Sequence, residues 1–379
     1  MPKIFVLAPD AFKESMSAEQ ACWAMQRGIQ KVSPDAHIIH VPLADGGEGT
    51  VDALISSLRE QRIACEVTGP LPDQRVQTYW GFIHNRQTAV IEMAKANGMH
   101  LLEASRRNPL LTSTYGTGEM IKQALDLGVK KIIIGLGGSI TNDAGAGMAQ
   151  ALGARFLDAQ GREVQACGGN LDQIHTIDLS AFDIRINTTD ILIASDVNNP
   201  LCGPNGASAI FGPQKGATPE MVKQLDRNLS SFADLVVRQT ECDCRHNAGA
   251  GAAGGLGFGL MAFASAQMQS GAELIIKETN LAEKIAQADY VFTGEGSIDF
   301  QTQFGKTPWA VAQVAKQFNK PVIAFAGLVG EGIEDLLGVG FSQIIGINPP
   351  DCPLQEALKN AEVNLENAVA EIVKNLLPN

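Results

Sequence analysis

Val76-Gln77-Thr78-Tyr79-Trp80-Gly81-Phe82-Ile83-His84-Asn85-Arg86-Gln87-Thr88-Ala89-Val90-Ile91-Glu92-Met93-Ala94 is the stretch that decides the architecture. β-Branched and aromatic residues fill both halves and a polar Asn85-Arg86 separates them, so strands at 76–84 and 88–94 are expected to form a hairpin. An antiparallel pair is foreign to a chain whose other strands alternate with helices, because such strands pair in parallel through helical crossovers. The hairpin therefore marks an insertion.

On either side of it the alternation is plain. Strand, helix, strand and helix are expected at Lys3–Ala8, Ala18–Lys31, His37–Leu43 and Glu48–Arg59. Ser17 and Gln20 have capping-box spacing, and Ala21, Met25, Ile29 and Val32 recur on one helical face. Near the other end, strands are expected at Tyr290–Thr293, Val322–Ala326 and Ser342–Ile347. Leu354, Leu358, Ala361, Leu365, Val369, Ile372 and Leu376 then mark a closing amphipathic helix. The fold expected is α/β: one discontinuous, doubly wound, Rossmann-like domain formed by 1–65 and 285–379, carrying an inserted α/β domain, 66–284, that holds the antiparallel strands.

The 379 residues are too many for one core, and 45% hydrophobic against 18% charged residues describes a globular chain. A net charge of −12 argues against nucleic acid or an anionic membrane as partner. Met1-Pro2-Lys3 runs straight into a strand, without the layout of an export signal. Ala248–Ala272 lacks charge but holds seven glycines, which suits a close-packed internal helix better than a membrane span. Seven scattered cysteines fit a reducing compartment, and Cys242-Asp243-Cys244 with His246 reads as a surface loop rather than a zinc knuckle.

Chemistry concentrates where strands end. Ile132-Ile133-Ile134-Gly135-Leu136-Gly137-Gly138-Ser139-Ile140-Thr141-Asn142-Asp143 runs a buried strand into a small-residue turn and a helix start, the shape of an anion seat. Asp10, Asp45 and Asp196 each follow an apolar strand, on the side that faces the ligand crevice in an open parallel sheet. Lys13 and Ser15 stand in Pro9-Asp10-Ala11-Phe12-Lys13-Glu14-Ser15, and Lys215 in what reads as a flexible loop able to meet a polyphosphate. Gly294-Glu295-Gly296-Ser297-Ile298-Asp299 sets carboxylates near Gly305-Lys306-Thr307-Pro308, which opens a helix. That triplet is not a P-loop, since Phe300 occupies the place of the first glycine. Gly249, Gly251 and Gly254 lack the preceding strand of a dinucleotide fingerprint, and none of the six histidines falls in these motifs.

Pro9–Ser15, Ala44-Asp45-Gly46-Gly47-Glu48-Gly49-Thr50, Gly135–Asp143, Ser195-Asp196-Val197-Asn198-Asn199-Pro200-Leu201 and Gly294–Lys306 recur in this order in one family. The chain resembles bacterial type I glycerate kinase over nearly its whole length. The resemblance implies transfer of the ATP γ-phosphoryl group to D-glycerate with Mg²⁺, in a cleft between two α/β domains. It points to O2 and 2-phosphoglycerate, with 3-kinase regiochemistry as the alternative. It implies a cytoplasmic enzyme with a small-molecule substrate and no nucleic-acid or membrane partner, and is compatible with a homo-oligomer.

On that reading Gly135, Gly137, Gly138, Ser139, Thr141, Asn142, Lys215 and Lys306 meet the nucleotide, while Asp10, Ser15 and Asp45 bind glycerate. Lys13 joins Ser15 on the carboxylate and counts among the catalytic group. Asp196 and Asp299 supply the base and a metal ligand in either order, with Glu295 as a further ligand. An NAD-dependent oxidoreductase and a sugar-acid-sensing regulatory protein are the other two readings. The first lacks its fingerprint strand, and no basic stripe supports a DNA-binding form of the second.

Overall fold

The computed structural model describes residues 2–377. The chain divides into two compact units, the first made of Met1–Asp45, Asp52–Arg59 and Ser270–Asn379, the second of Gly46–Val51 and Glu60–Gln269. The divisions expected at 65/66 and 284/285 therefore fall earlier, at 59/60 and 269/270. A strand beginning at Gln61 pairs with the hairpin of the second unit, and the helices Gly271–Glu278 and Leu281–Ala286 pack on the helix Thr307–Gln317 of the first.

Strands are numbered along the chain. The first unit holds β1 (Ile4–Leu7), β2 (His37–His40), β11 (Tyr290–Ile298), β12 (Val322–Val329) and β13 (Gln343–Gly346) in the order β13-β12-β11-β1-β2, all parallel. From β1 the chain moves outward to β2, and from β11 it moves the opposite way to β12 and β13. The boundary between β1 and β11 is thus the switch point of a doubly wound sheet, where a crevice opens at the carboxyl ends.

Phe5, Leu7, Phe292, Ile323 and Phe325 fill this unit's core, each contributing about 1.5–3 kcal/mol by the usual burial scale. The helix Ala18–Gln30 begins at the expected capping box, with Gln20 N–H donating to Ser17 Oγ at 3.2 Å and Ser17 N–H to Gln20 Oε1 at 2.8 Å. Its face Ala21, Met25 and Ile29 is fully buried, and Val32 packs at the edge of the same core. At Gly28 the closing helix comes so near that an added Cβ would lie 2.5 Å from the Glu366 carbonyl oxygen. That closing helix is two helices, Leu354–Lys359 and Ala361–Leu376, broken at Asn360. Leu365 and Val369 are in the core, but Leu354, ahead of the break, is 71% exposed.

The second unit carries a six-stranded sheet, β10-β9-β6-β5-β4-β3. Its strands are β3 (Gln61–Thr68), β4 (Arg75–Ile83), β5 (Thr88–Glu92), β6 (Lys131–Gly135), β9 (Asp190–Ala194) and β10 (Gln267–Gln269). A small antiparallel pair, β7 (Arg155–Leu157) and β8 (Thr176–Asp178), stands apart from it. The hairpin is β4 and β5, with Ile83 opposite Thr88 and Gln87 left-handed at φ 46. It ends at Glu92 rather than Ala94, because Ala94–Asn97 turns helical. β3, absent from the sequence-based expectation, pairs antiparallel with β4, whereas β5, β6, β9 and β10 run parallel.

Ala252–Ala264 is helical and almost wholly buried, as its glycine-rich composition leads one to expect. Ala253, Gly254 and Gly255 take left-handed angles within it, and a Cβ on Gly254 would sit 1.9 Å from the Thr141 carbonyl oxygen. These glycines admit neighbouring backbone. Among the described residues no helix is long and apolar enough to cross a membrane.

Candidate functional site

In the first unit the polar groups gather at the switch point. Asp10 leaves the end of β1 with its N–H donating to the Gly294 carbonyl of β11 at 2.9 Å. Its carboxylate accepts from Thr307 Oγ1 at 2.6 Å and from the Ala11 N–H at 2.6 Å. Burial, and after it the Asp45 carboxylate, raise the Asp10 carboxyl to about 7; the bonds from Thr307 and Ala11 oppose the rise and Glu295 adds to it. The segment leading to Asp45 is tied to the same edge by Leu43 N–H on the Pro9 carbonyl at 2.9 Å.

Lys306 stands at the N-cap of the helix Thr307–Gln317, as its motif implied. Its ammonium donates to Glu295 Oε1 at 3.3 Å and to the Ser297 carbonyl at 3.0 Å. Glu295 has its carboxyl raised by burial, against the pull of Lys306 and Lys13. Asp10, Asp45, Glu295, Lys13, Lys306 and Thr307 therefore form one electrostatic neighbourhood.

The structure gives three particulars of the motifs in this unit. The Glu295 motif is not a loop after a short strand: β11 continues to Ile298, with Glu295 opposite Ala326 and Ser297 opposite Leu328. Asp299 is a cap, accepting from Gln301 N–H at 2.8 Å at the head of the 3-10 turn Phe300–Gln303, so one of its oxygens is already engaged. Ser15 spends its proton on the Phe12 carbonyl at 2.9 Å and can meet an anion only by giving that bond up. Lys13, beside it in a tight turn where Glu14 is left-handed at φ 65, is exposed.

In the second unit the carboxyl ends of β5, β6 and β9 lie side by side, with Glu92 opposite Gly135 and Gly135 opposite Ala194. The turn Gly137–Gly138 follows β6, with Gly138 exposed and left-handed at φ 68, and the exposed Asp196 follows β9. After β5 come Glu92, which accepts from the Val51 N–H at 2.6 Å, and Lys95, 3.7 Å from that carboxylate. Lys95 donates to the Tyr79 hydroxyl at 2.9 Å and lies over that ring at 4.2 Å. Neither Glu92 nor Lys95 stands in a recognisable motif; only their place just past a parallel strand could have pointed to them.

Much of the expected anion seat is interior. Gly135 faces Gly46, whose carbonyl oxygen would be 2.5 Å from an added Cβ, and Gly137 would meet Gly47 Cα at 2.5 Å. These glycines make room for a neighbouring backbone. Thr141, Asn142 and Asp143 are fully buried, and Asn142 accepts from Ser208 Oγ at 3.2 Å. The helix begins only at Ala146, and its first turn already holds an anion. The Asp143 carboxylate accepts from the N–H groups of Thr114, Gly145 and Gly147 at 2.8, 3.2 and 3.2 Å and from Thr114 Oγ1 at 2.9 Å. Burial raises this carboxyl, and those bonds resist the rise.

Lys215 is not in a flexible loop either. It ends the 3-10 turn Pro213–Lys215, is 1% exposed, and donates to Ser139 Oγ at 2.8 Å and to the Thr141 carbonyl at 2.6 Å. Burial lowers its ammonium to about 7, with Asp143 acting the other way. Among the described residues no three His, Cys, Asp or Glu side chains gather as a metal cage. Asp196 belongs to the second unit, and Glu295 and Asp299 to the first.

The sequence profile of the glycerate kinase family matches residues 5–377. The glycerate kinase of Haemophilus influenzae is 48% identical over 370 residues, 98% of each chain. The glycerate 2-kinase of Escherichia coli is 45% identical over 371 residues, 98% of this chain and 97% of that one. The crystal structure of a Salmonella typhimurium LT2 protein named as a glycerate kinase 2 superimposes with a TM-score of 0.88 at 45% identity, covering 99% of this chain and 98% of that one.

Proposed function

The chain belongs to the glycerate kinase family, and from that premise we propose that it transfers the γ-phosphoryl group of ATP to the 2-hydroxyl of D-glycerate. The observation that carries this is likeness along the entire chain, including 45% identity to a relative named glycerate 2-kinase. Phosphoryl transfer asks the protein for positioning and charge neutralisation rather than for a nucleophile, which suits a site without histidine or activated serine.

The first unit receives the acid. Lys13 is an exposed cation in the turn after β1 and takes the carboxylate, with Ser15 beside it. Asp10, raised to about 7, accepts the proton of the reacting hydroxyl, since a base works best with a pKa near the working pH. Asp45 and Lys306 keep that carboxylate poised, the first by repulsion and the second by holding Glu295. Asp299, engaged as a cap, orders the turn that leads to Lys306.

The second unit receives the triphosphate on the Gly137–Gly138 turn, where Gly138 is exposed and left-handed. Ser139 and Lys215 support that turn from within. Mg²⁺ fits the donor chemistry at the strand ends: it takes one or two carboxylates together with phosphate oxygens, so an exposed Asp196 suits it and a three-carboxylate cage is not required. When bound, it would neutralise charge on the β- and γ-phosphates. Seven unpaired cysteines support a reducing, cytoplasmic setting.

Phosphorus NMR of the product formed from ATP, Mg²⁺ and D-glycerate tests the reading. The 2-phosphate resonance is expected; a 3-phosphate resonance overturns the regiochemistry, and absence of any organic phosphate beyond ATP and ADP overturns the activity.

A further inference from the structure

Lys215 is the one lysine in the described structure that is fully buried. A buried ammonium is costly unless its protons are taken, and here they go to Ser139 Oγ at 2.8 Å and the Thr141 carbonyl at 2.6 Å. Both acceptors lie on the segment that leaves Gly138. That segment is pinned from its far side too, where Ala144 N–H donates to the Gly254 carbonyl at 3.1 Å and Gly254 packs against Thr141. On its near side Met99 N–H holds the Gly138 carbonyl at 2.9 Å. The left-handed Gly138 is therefore the first residue of a strap fastened at both ends, and Lys215 fastens it at the next residue, Ser139, and at Thr141.

We propose that Lys215 is a positioning residue: bonded to Ser139 and Thr141, it sets the orientation of the Gly137–Gly138 backbone toward the triphosphate without touching a phosphate itself. A lysine that reached the nucleotide would need surface, and this one has almost none. Its influence passes through the two groups it holds on that segment, the Ser139 hydroxyl and the Thr141 carbonyl. The inference rests on the second unit's turn being the triphosphate seat, as proposed above.

The test is steady-state kinetics on full-length Lys215→Met, Ser139→Ala and the double variant, with thermal melting to verify folding. Lys215→Met should raise KM for ATP by about tenfold or more, the scale of a lost charge-assisted hydrogen bond, and leave KM for D-glycerate within about twofold. Ser139→Ala should raise KM for ATP in the same sense. The double variant should be no worse than Lys215→Met alone, because the bond that Ser139→Ala removes is one of the two that Lys215→Met has already removed. Independent, multiplicative effects would mean that Lys215 meets the nucleotide directly and would overturn the proposal. Equal loss toward both substrates would reduce Lys215 to general packing and would overturn it too. If Lys215→Met does not fold, Ser139→Ala decides alone, an unchanged KM for ATP counting against the proposal. A wild-type enzyme without turnover would sink the functional reading instead, so the two failures are distinguishable.

Discussion

Replacing Asp10 by asparagine should make the protein more stable at pH 8 while disabling it. The Asp10 carboxyl is raised from 3.8 to about 7, so between those values the folded chain keeps a proton that the unfolded chain has lost. Stability must then fall as pH rises through that window, and the loss is complete above about 7. Three pH units correspond to about 4 kcal/mol at ~1.4 kcal/mol each. Halving this for solvent relaxation around a partly exposed group leaves about 2 kcal/mol, or roughly 4–8 °C in melting temperature. Asparagine retains an oxygen for the Ala11 N–H and an amide for Thr307 Oγ1, so removal of charge dominates the change.

Melting followed by circular dichroism from pH 5 to 8 measures this, and kcat at pH 8 should drop by about 10²-fold or more if Asp10 is the base. In the parent enzyme kcat/KM should climb with pH through about 7, as the carboxyl loses its proton. Parallel melting profiles for parent and variant, or a lower melting temperature for Asp10→Asn at pH 8, would refute the electrostatic argument. Near-normal turnover would remove Asp10 from the chemistry.

Other outcomes follow from single positions. Asp196→Asn should shift the Mg²⁺ dependence to higher concentration by about tenfold, read from rate against metal titration, and an unshifted curve would free Asp196 of any metal role. Lys13→Ala should raise KM for D-glycerate about tenfold with kcat nearly constant, since an exposed cation contributes uniform binding; an unchanged KM would return Lys13 to the solvated surface. Gly254→Ala places a Cβ 1.9 Å from the Thr141 oxygen at φ 68 and should cost about 3 kcal/mol or more, seen as a much lower melting temperature or insoluble protein. A melting temperature within 2 °C of the parent would show that this contact relaxes freely.

Local chemistry explains what could be read without coordinates. The capping box at Ser17 and Gln20, the face Ala21, Met25 and Ile29, and the hairpin around Asn85-Arg86 depend on residues near one another in the chain, so periodicity and turn composition were enough to find them. The order of motifs likewise identified the family, because such motifs are contiguous. The strand Gln61–Thr68 was not visible, since its alternating residues are half exposed and its partner is chosen by tertiary pairing.

Burial and bond partners belong to the tertiary structure alone. Glycines suited to a phosphate are equally suited to another stretch of backbone, and only the folded chain brings Gly46 and Gly47 against Gly135 and Gly137. Lys215 looks like a surface lysine until Ser139, 76 positions away, closes over it. Asp143 fills its own helix start and Asp10 acquires a carboxyl near neutrality, because desolvation and the field of distant charges depend on three-dimensional surroundings. A sequence lists the donors, acceptors and charges a protein owns; folding determines which of them are already satisfied and which are left to bind.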